Sequence, residues 1–179
     1  MTRLGDVCTK IGSGATPKGG KDAYRGGGFI LIRSQNVLDW SFSDNGLARI
    51  NAEQASKLDS VAVMPGDVLL NITGDSVARA CTAPADILNA RVNQHVCIIR
   101  TKSDELDSTY ALMELQNRKA TLLQIASSGA TRNALTKHAI ETLDIELPSL
   151  EEQRKLSAPI DNINRQIACL NRTNGYLAA

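Results

Sequence analysis

Ser149-Leu150-Glu151-Glu152-Gln153-Arg154-Lys155-Leu156, running on through Pro159 to Leu177, decides the shape of this chain. Ser149 and Glu152 have the S-x-x-E spacing of a capping box, which satisfies free amides at a helix start. Beyond them Leu156, Ile160, Ile163, Ile167, Leu170 and Leu177 recur at intervals of four and three, with Asn174 filling the last gap. That spacing lays an apolar stripe along one side of a helix. The helix would be about 40 Å long at 1.5 Å per residue, more than a monomeric domain of this size needs, so a partner is expected against the stripe. Gln153 and Asn174 fall at core positions of the repeat, where a polar residue fixes register at a cost in stability. Pro159 removes one backbone donor, which predicts a kink or a break into two pieces.

Outward from the helix, residues 1–147 read as one α+β body of mixed strands and helices, and residues 148–179 as the helix itself. The chain has 179 residues, enough for one cored domain and too few for two plus the helix. Leu4 to Ile11 predicts a short strand or helix, and Phe29-Ile30-Leu31-Ile32 a buried strand. Asn51 caps a short helix from Ala52 to Leu58. Pro65-Gly66-Asp67 turns into a strand from Val68 to Thr73. A single strand is expected from Val92 to Arg100, one helix from Leu106 to Ser127, and a final strand from Ile140 to Leu147.

Lys and Arg total 20 against 19 Asp and Glu, so a nucleic acid would have to be held by a local arrangement of cations rather than by bulk charge. Cys8, Cys81, Cys97 and Cys169 are scattered, which suggests neither a zinc site nor a disulfide framework and fits a reducing compartment. No stretch approaches the roughly 18 apolar residues of a membrane span, and the start carries no apolar signal segment. A cytoplasmic protein without membrane contact is expected.

The glycine-rich Gly12-Ser13-Gly14-Ala15-Thr16-Pro17-Lys18-Gly19-Gly20 lacks the order of a P-loop, and Pro17 stands where a dinucleotide fingerprint has its third glycine. Lys10, Ser13, Thr16, Lys18 and Lys21 suit contact with a nucleic-acid backbone instead. His95 and Cys97 share a strand face and could pair a base with a nucleophile, but no third group orients them, and a core cysteine beside a rim histidine is the simpler reading. Short polar readers beside arginines recur in separate segments: Arg33, Gln35 and Asn36; Asn71; Arg91 and Asn93; Thr131, Arg132 and Asn133. Carboxamides pair bidentately with adenine and arginine with guanine, so these are candidates around a DNA groove. Asn93 and Gln94 could equally bond neighbouring loop backbone. With few aromatic residues to stack on single strands, duplex DNA is the better partner.

The runs Leu4-Gly5-Asp6-Val7, Gly12 to Pro17, Ile32 to Val37, Gly66 to Gly74, Asn93 to Val96 and Leu147-Pro148-Ser149-Leu150-Glu151-Glu152-Gln153 resemble the specificity subunit of type I restriction-modification systems. The resemblance covers nearly the whole chain. It implies a target recognition domain for one half of a bipartite DNA sequence and a spacer helix that sets the distance to the other half. It also implies a non-catalytic subunit that docks methyltransferase (M) and restriction (R) subunits; S-adenosylmethionine, ATP and Mg would sit on those partners and none on this chain. In agreement, the sequence has no N/D-P-P-Y/F methylation motif. The family's subunit has two recognition domains where this chain has room for one. The chain is therefore expected to be either a natural half-subunit or an N-terminal fragment, and as a half-subunit to form an antiparallel homodimer, a coiled coil through Leu156, Ile160, Ile163, Ile167, Leu170, Asn174 and Leu177. The alternative is a module that dimerises or docks a partner through this helix and binds no DNA.

Overall fold

The structure is a computed structural model that describes residues 1–17, 24, 26–128 and 133–177, with side chains in the last helix described through Ile167 and at Cys169, Leu170 and Thr173. Its centre is an antiparallel sheet of β2 (Cys8–Ser13), β8 (Val96–Thr101), β5 (Val68–Asn71) and β6 (Ala80–Thr82), hydrogen-bonded in that order. A second sheet holds β4 (Ala48–Ile50), β3 (Phe29–Ile32) and β7 (Ala90–Val92), with β3 and β7 parallel. β1 (Thr2–Arg3) and β9 (Asp144–Ile145) pair near the base of the last helix.

Strand alternation divides the core between two layers. Val68, Leu70, Cys97 and Ile99 face one way, onto α2 (Ser108–Asn117), α3 (Lys119–Ser128) and α4 (Lys137–Glu141). Leu69, Val96 and Ile98 face the other way, onto Leu31, Ile32, Ile50 and Val92 of the second sheet. All four residues of β5 are buried, as its unbroken apolar run requires of a strand covered on both sides. No helix among the described residues is long and apolar enough to cross a membrane.

Local signals read from the chain are present in the fold. The strand at Phe29–Ile32 has the expected bounds. Asn51 caps α1 (Ala52–Ser56), its side chain accepting from the Gln54 amide at 2.8 Å. Ser149 and Glu152 form the capping box of α5 (Leu150–Leu177): the Ser149 amide donates to Glu152 Oε2 at 3.0 Å and the Glu152 amide to Ser149 Oγ at 3.3 Å.

Four expectations need correction. Val92 to Arg100 is two strands in different sheets, because the chain leaves β7 at Asn93 and crosses to β8. Leu106 to Ser127 is two helices broken at Arg118, whose guanidinium reaches Glu114 at 2.7 Å and the Asp144 carbonyl at 2.7 Å. Ile140 belongs to α4, which Thr136 starts by accepting from the Ala139 amide at 3.1 Å; only Asp144–Ile145 of the expected final strand is extended. α5 runs through Pro159 as one helix, so the break into two pieces does not occur; Lys155, whose carbonyl loses the donor, is on an exposed stretch where water can replace it.

Gln153 also departs from its expected place in the repeat. It is fully buried against its own chain, donating to the carbonyls of Glu105 (3.0 Å) and Pro148 (2.9 Å) and accepting from the Asp107 amide (2.9 Å). Farther along, Thr109 Oγ1 donates to Asp161 at 2.7 Å, so the first turns of α5 are fastened to α2. The stripe then emerges: Leu156, Ile163, Ile167 and Leu170 are exposed and Ile160 half-buried.

Candidate nucleic-acid interface

The ends of β2, β3, β5 and β7 and the start of β8 meet at one rim. The Asn93 amide donates to Ile32 O at 3.0 Å, and the Gly14 amide to Asn93 O at 3.1 Å. The Ile72 amide donates to His95 O at 2.9 Å, and Gly74 and Asn133 are joined by a 3.0 Å amide-to-carbonyl bond. Asn71 Nδ2 donates to Ser34 O and Val37 O at 2.9 and 3.1 Å. Thr16 and Gln94 meet through their side chains. Polar segments as far apart in sequence as Gly14 and Asn133 thus form one surface. Gly14 is needed there, since a Cβ on it would lie 1.7 Å from the Val92 carbonyl oxygen.

The candidate residues divide by what their side chains do. Asn36 is fully buried: it accepts from the Arg33 amide at 3.1 Å and donates to Ser43 O and Asn45 O at 2.9 and 3.2 Å. Asn71 is equally buried, and Asn93 accepts from the His95 amide at 3.0 Å. Arg91 donates to Asp59 at 2.6 Å and to Ala90 O at 3.0 Å, with its guanidinium 5.5 Å from the Phe29 ring centroid. Arg33 donates to Gly46 O at 2.7 Å and lies 5.5 Å from the Tyr24 ring centroid. These groups build the rim and hold its loops. Ser13, Thr16, Gln35 and Asn133 are exposed on it. Lys10 sits elsewhere, lining a 260 Å³ cavity with Cys8, Lys137 and Glu141. Lys18, Lys21, Thr131 and Arg132 lie outside the described residues, as do the side chains of Asn174 and Leu177.

Across the rim opens a cleft of about 560 Å³ lined by Ser34, Gln35, Thr73, Gly74, Asp75, Ser76, Arg79 and His95. His95 Nδ1 and Thr73 Oγ1 are 2.5 Å apart, and His95 Nε2 is 3.1 Å from Gln94 Nε2, so the ring is held on both sides. Asp75, Ser76 and Arg79 were not singled out in the sequence; the Gly74-Asp75-Ser76 turn after an apolar strand was the signal that could have found them. Cys97 has no access to the cleft. It is buried in the core packed against the helices, where burial pushes its thiol up to about 12, which leaves no thiolate nucleophile near neutral pH. No group of His, Cys, Asp and Glu that could hold a metal ion occurs among the described residues.

Residues 1–177 match the family described as type I restriction modification DNA specificity domain. The fold is similar to a chain from the structural work "Structural basis underlying complex assembly and conformational transition of the type I R-M system", at TM-score 0.67 and 27% identity over 98% of this chain and 40% of that one. The HsdS subunit from Thermoanaerobacter tengcongensis matches at TM-score 0.64 and 26% identity, over 96% of this chain and 38% of its own. The type I restriction-modification S subunit from M. genitalium shares the fold at TM-score 0.66 and 13% identity, with 96% and 40% covered. The chain belongs to the type I restriction modification DNA specificity domain family. It spans about 40% of the length of these solved relatives.

Proposed function

We propose that this chain recognises one half of a bipartite duplex DNA target through the rim, and that it positions methyltransferase and restriction subunits on that DNA without catalysing a reaction itself. The observation that carries the reading is the convergence of the Ser13–Thr16, Ser34–Asn36, Asn71–Thr73, Asn93–His95 and Asn133 segments, tied to one another by backbone and side-chain hydrogen bonds. Interior carboxamides keep the loops in place, and the exposed Ser13, Thr16, Gln35 and Asn133 face a ligand with hydroxyl and amide groups suited to phosphates and base edges. Lys18, Lys21 and Arg132, which continue two of these segments in the sequence, would supply cations and Thr131 a hydroxyl.

The exposed stripe on α5 supports a second part of the proposal. Leu156, Ile163, Ile167 and Leu170 are each about half or more exposed, an unusual state for successive large apolar residues unless another helix covers them. A second copy laid antiparallel across the stripe would carry two identical rims in inverted orientation, with Asn174 and Leu177 completing the coiled coil. The observation also favours a second reading, in which the helix docks a partner and the body binds no DNA.

Titration of a fluorescent duplex pool with the chain separates the two readings. DNA recognition requires binding whose logarithm falls linearly with the logarithm of salt concentration, with a slope of roughly one per phosphate contacted. Absence of any binding near about 50 mM salt, where such contacts are strongest, sinks the DNA reading.

A further inference from the structure

The connection between β5 and β6, residues 72–79, is unusually well fixed for a loop that reaches the surface. Val77 and Ala78 are buried in the core while Asp75 and Arg79 are exposed at the cleft. Amides of Val77, Ala78 and Arg79 donate to Gly74 O (3.1 Å), Asn71 O (2.9 Å) and Ser76 O (3.1 Å), and the Asn71 amide returns to Arg79 O at 2.8 Å. The Gly74 amide is held by Asn133 O at 3.0 Å. Ala78 adopts φ +67°, a left-handed conformation that residues with a Cβ seldom take unless their surroundings enforce it. The loop is thus built to present a few side chains in one arrangement.

Two of those side chains carry opposite charge. Asp75 and Arg79 are four residues apart and line the same cleft, yet no ion pair joins them, and among the described residues neither has an ion-pair partner. An exposed carboxylate facing DNA is repelled by every phosphate, so it is tolerable there only against a base-edge donor. The major groove offers such a donor on the cytosine amino group, and guanine of the same pair offers O6 and N7 as a bidentate acceptor for arginine. We propose that the β5–β6 loop reads one C·G base pair, Arg79 donating to the guanine and Asp75 accepting from the cytosine amino group. The assignment rests on the DNA-binding reading above and adds a base identity and two residues to it.

Selection from a randomised duplex library, with the full chain as bait, tests this. Wild-type protein should enrich sequences with a C·G pair at one position, and replacing that pair by T·A in a synthetic duplex should weaken binding roughly 5- to 150-fold. Arg79→Ala and Asp75→Ala should each lose discrimination at that position and keep it at the others, with the thermal unfolding midpoint unchanged because both side chains are exposed. An identical enriched sequence from wild type and Arg79→Ala overturns the assignment while the DNA-binding reading stands. No duplex binding by wild type overturns the reading and the assignment together. A uniform loss of affinity across all sequences in Arg79→Ala also overturns it, by showing a phosphate contact in place of base readout.

Discussion

At the rim, polar side chains turn inward to hold backbone; along the outer half of α5, apolar side chains turn outward to solvent. Both reverse the usual distribution, and the reversals differ in kind. Asn36 and Asn71 are fully buried because each carboxamide bridges loops that have no strand partners of their own. Their burial completes the fold of a single chain. Ile163, Ile167 and Leu170 are exposed, with no apolar cover among the described residues, and the proposal above assigns that cover to a partner helix. The rim loops are held by the chain's own bonds, an arrangement that would lower the entropy cost of the binding proposed above, whereas the helix face would be finished only by the proposed association.

The sharpest way to break this contrast is to remove a rim support. Asn36→Ala leaves the Arg33 amide and the Ser43 and Asn45 carbonyls without partners, and a loss on the order of 2–4 kcal/mol is expected from unsatisfied buried groups. Urea denaturation measures it. A loss below about 0.5 kcal/mol, the range of ordinary surface substitutions, would mean the rim is not held from inside.

Gln153→Ala likewise removes three bonds to part-buried groups and should cost about 1–3 kcal/mol. Its signature is local: faster amide exchange at Asp107 and in the first turns of α5, with the rim amides unchanged. Equal acceleration everywhere would show that the first turns of α5 and the body unfold as one unit.

For the outer helix the expected change is in association rather than in stability. The double variant Ile163→Asp and Ile167→Asp should halve the solution mass from dimer to monomer and leave the urea midpoint of the body in place. A monomeric parent protein removes the two-fold arrangement and assigns the stripe to a different partner. Gln35→Ala, at an exposed rim position, should reduce duplex affinity about thirtyfold, the middle of the range for a base-edge contact, with no change in unfolding. An unchanged affinity takes Gln35 off the reading surface.

What the sequence made legible follows the same division. The strand at Phe29–Ile32, the Asn51 cap and the Ser149–Glu152 box are local patterns, and each appears at the expected residues. The apolar stripe of α5 was readable because helical periodicity needs no knowledge of the partner. Asn36, Asn71 and Arg91 looked like surface readers because their types suit DNA; only the paths of distant loops put Ser34 O beside Asn71 and Asp59 beside Arg91. The break between Val92 and Val96 was invisible for a similar reason, since both halves are good strands and only the layer arrangement separates them. Gln153 matched the heptad register and is nonetheless an intrachain lock.

The smallest expected effect lies where the two regions join. Hydrogen bonds from the side chain and amide of Ser149 hold the Glu152 carboxyl below its ordinary value of 4.5. Because the folded value is depressed, the capping box contributes stability above the unfolded value and loses it as pH falls through the folded one. Amide exchange in the first turn of α5, corrected for intrinsic rates, should therefore rise on acidification below the ordinary carboxylate range, before the body unfolds. Glu152→Gln keeps a hydrogen-bonding side chain without the charge and should flatten that pH dependence. If wild type and Glu152→Gln respond alike to acid, the helix start is held by the Gln153 lock alone, and the capping box read from the sequence has no separate energetic role.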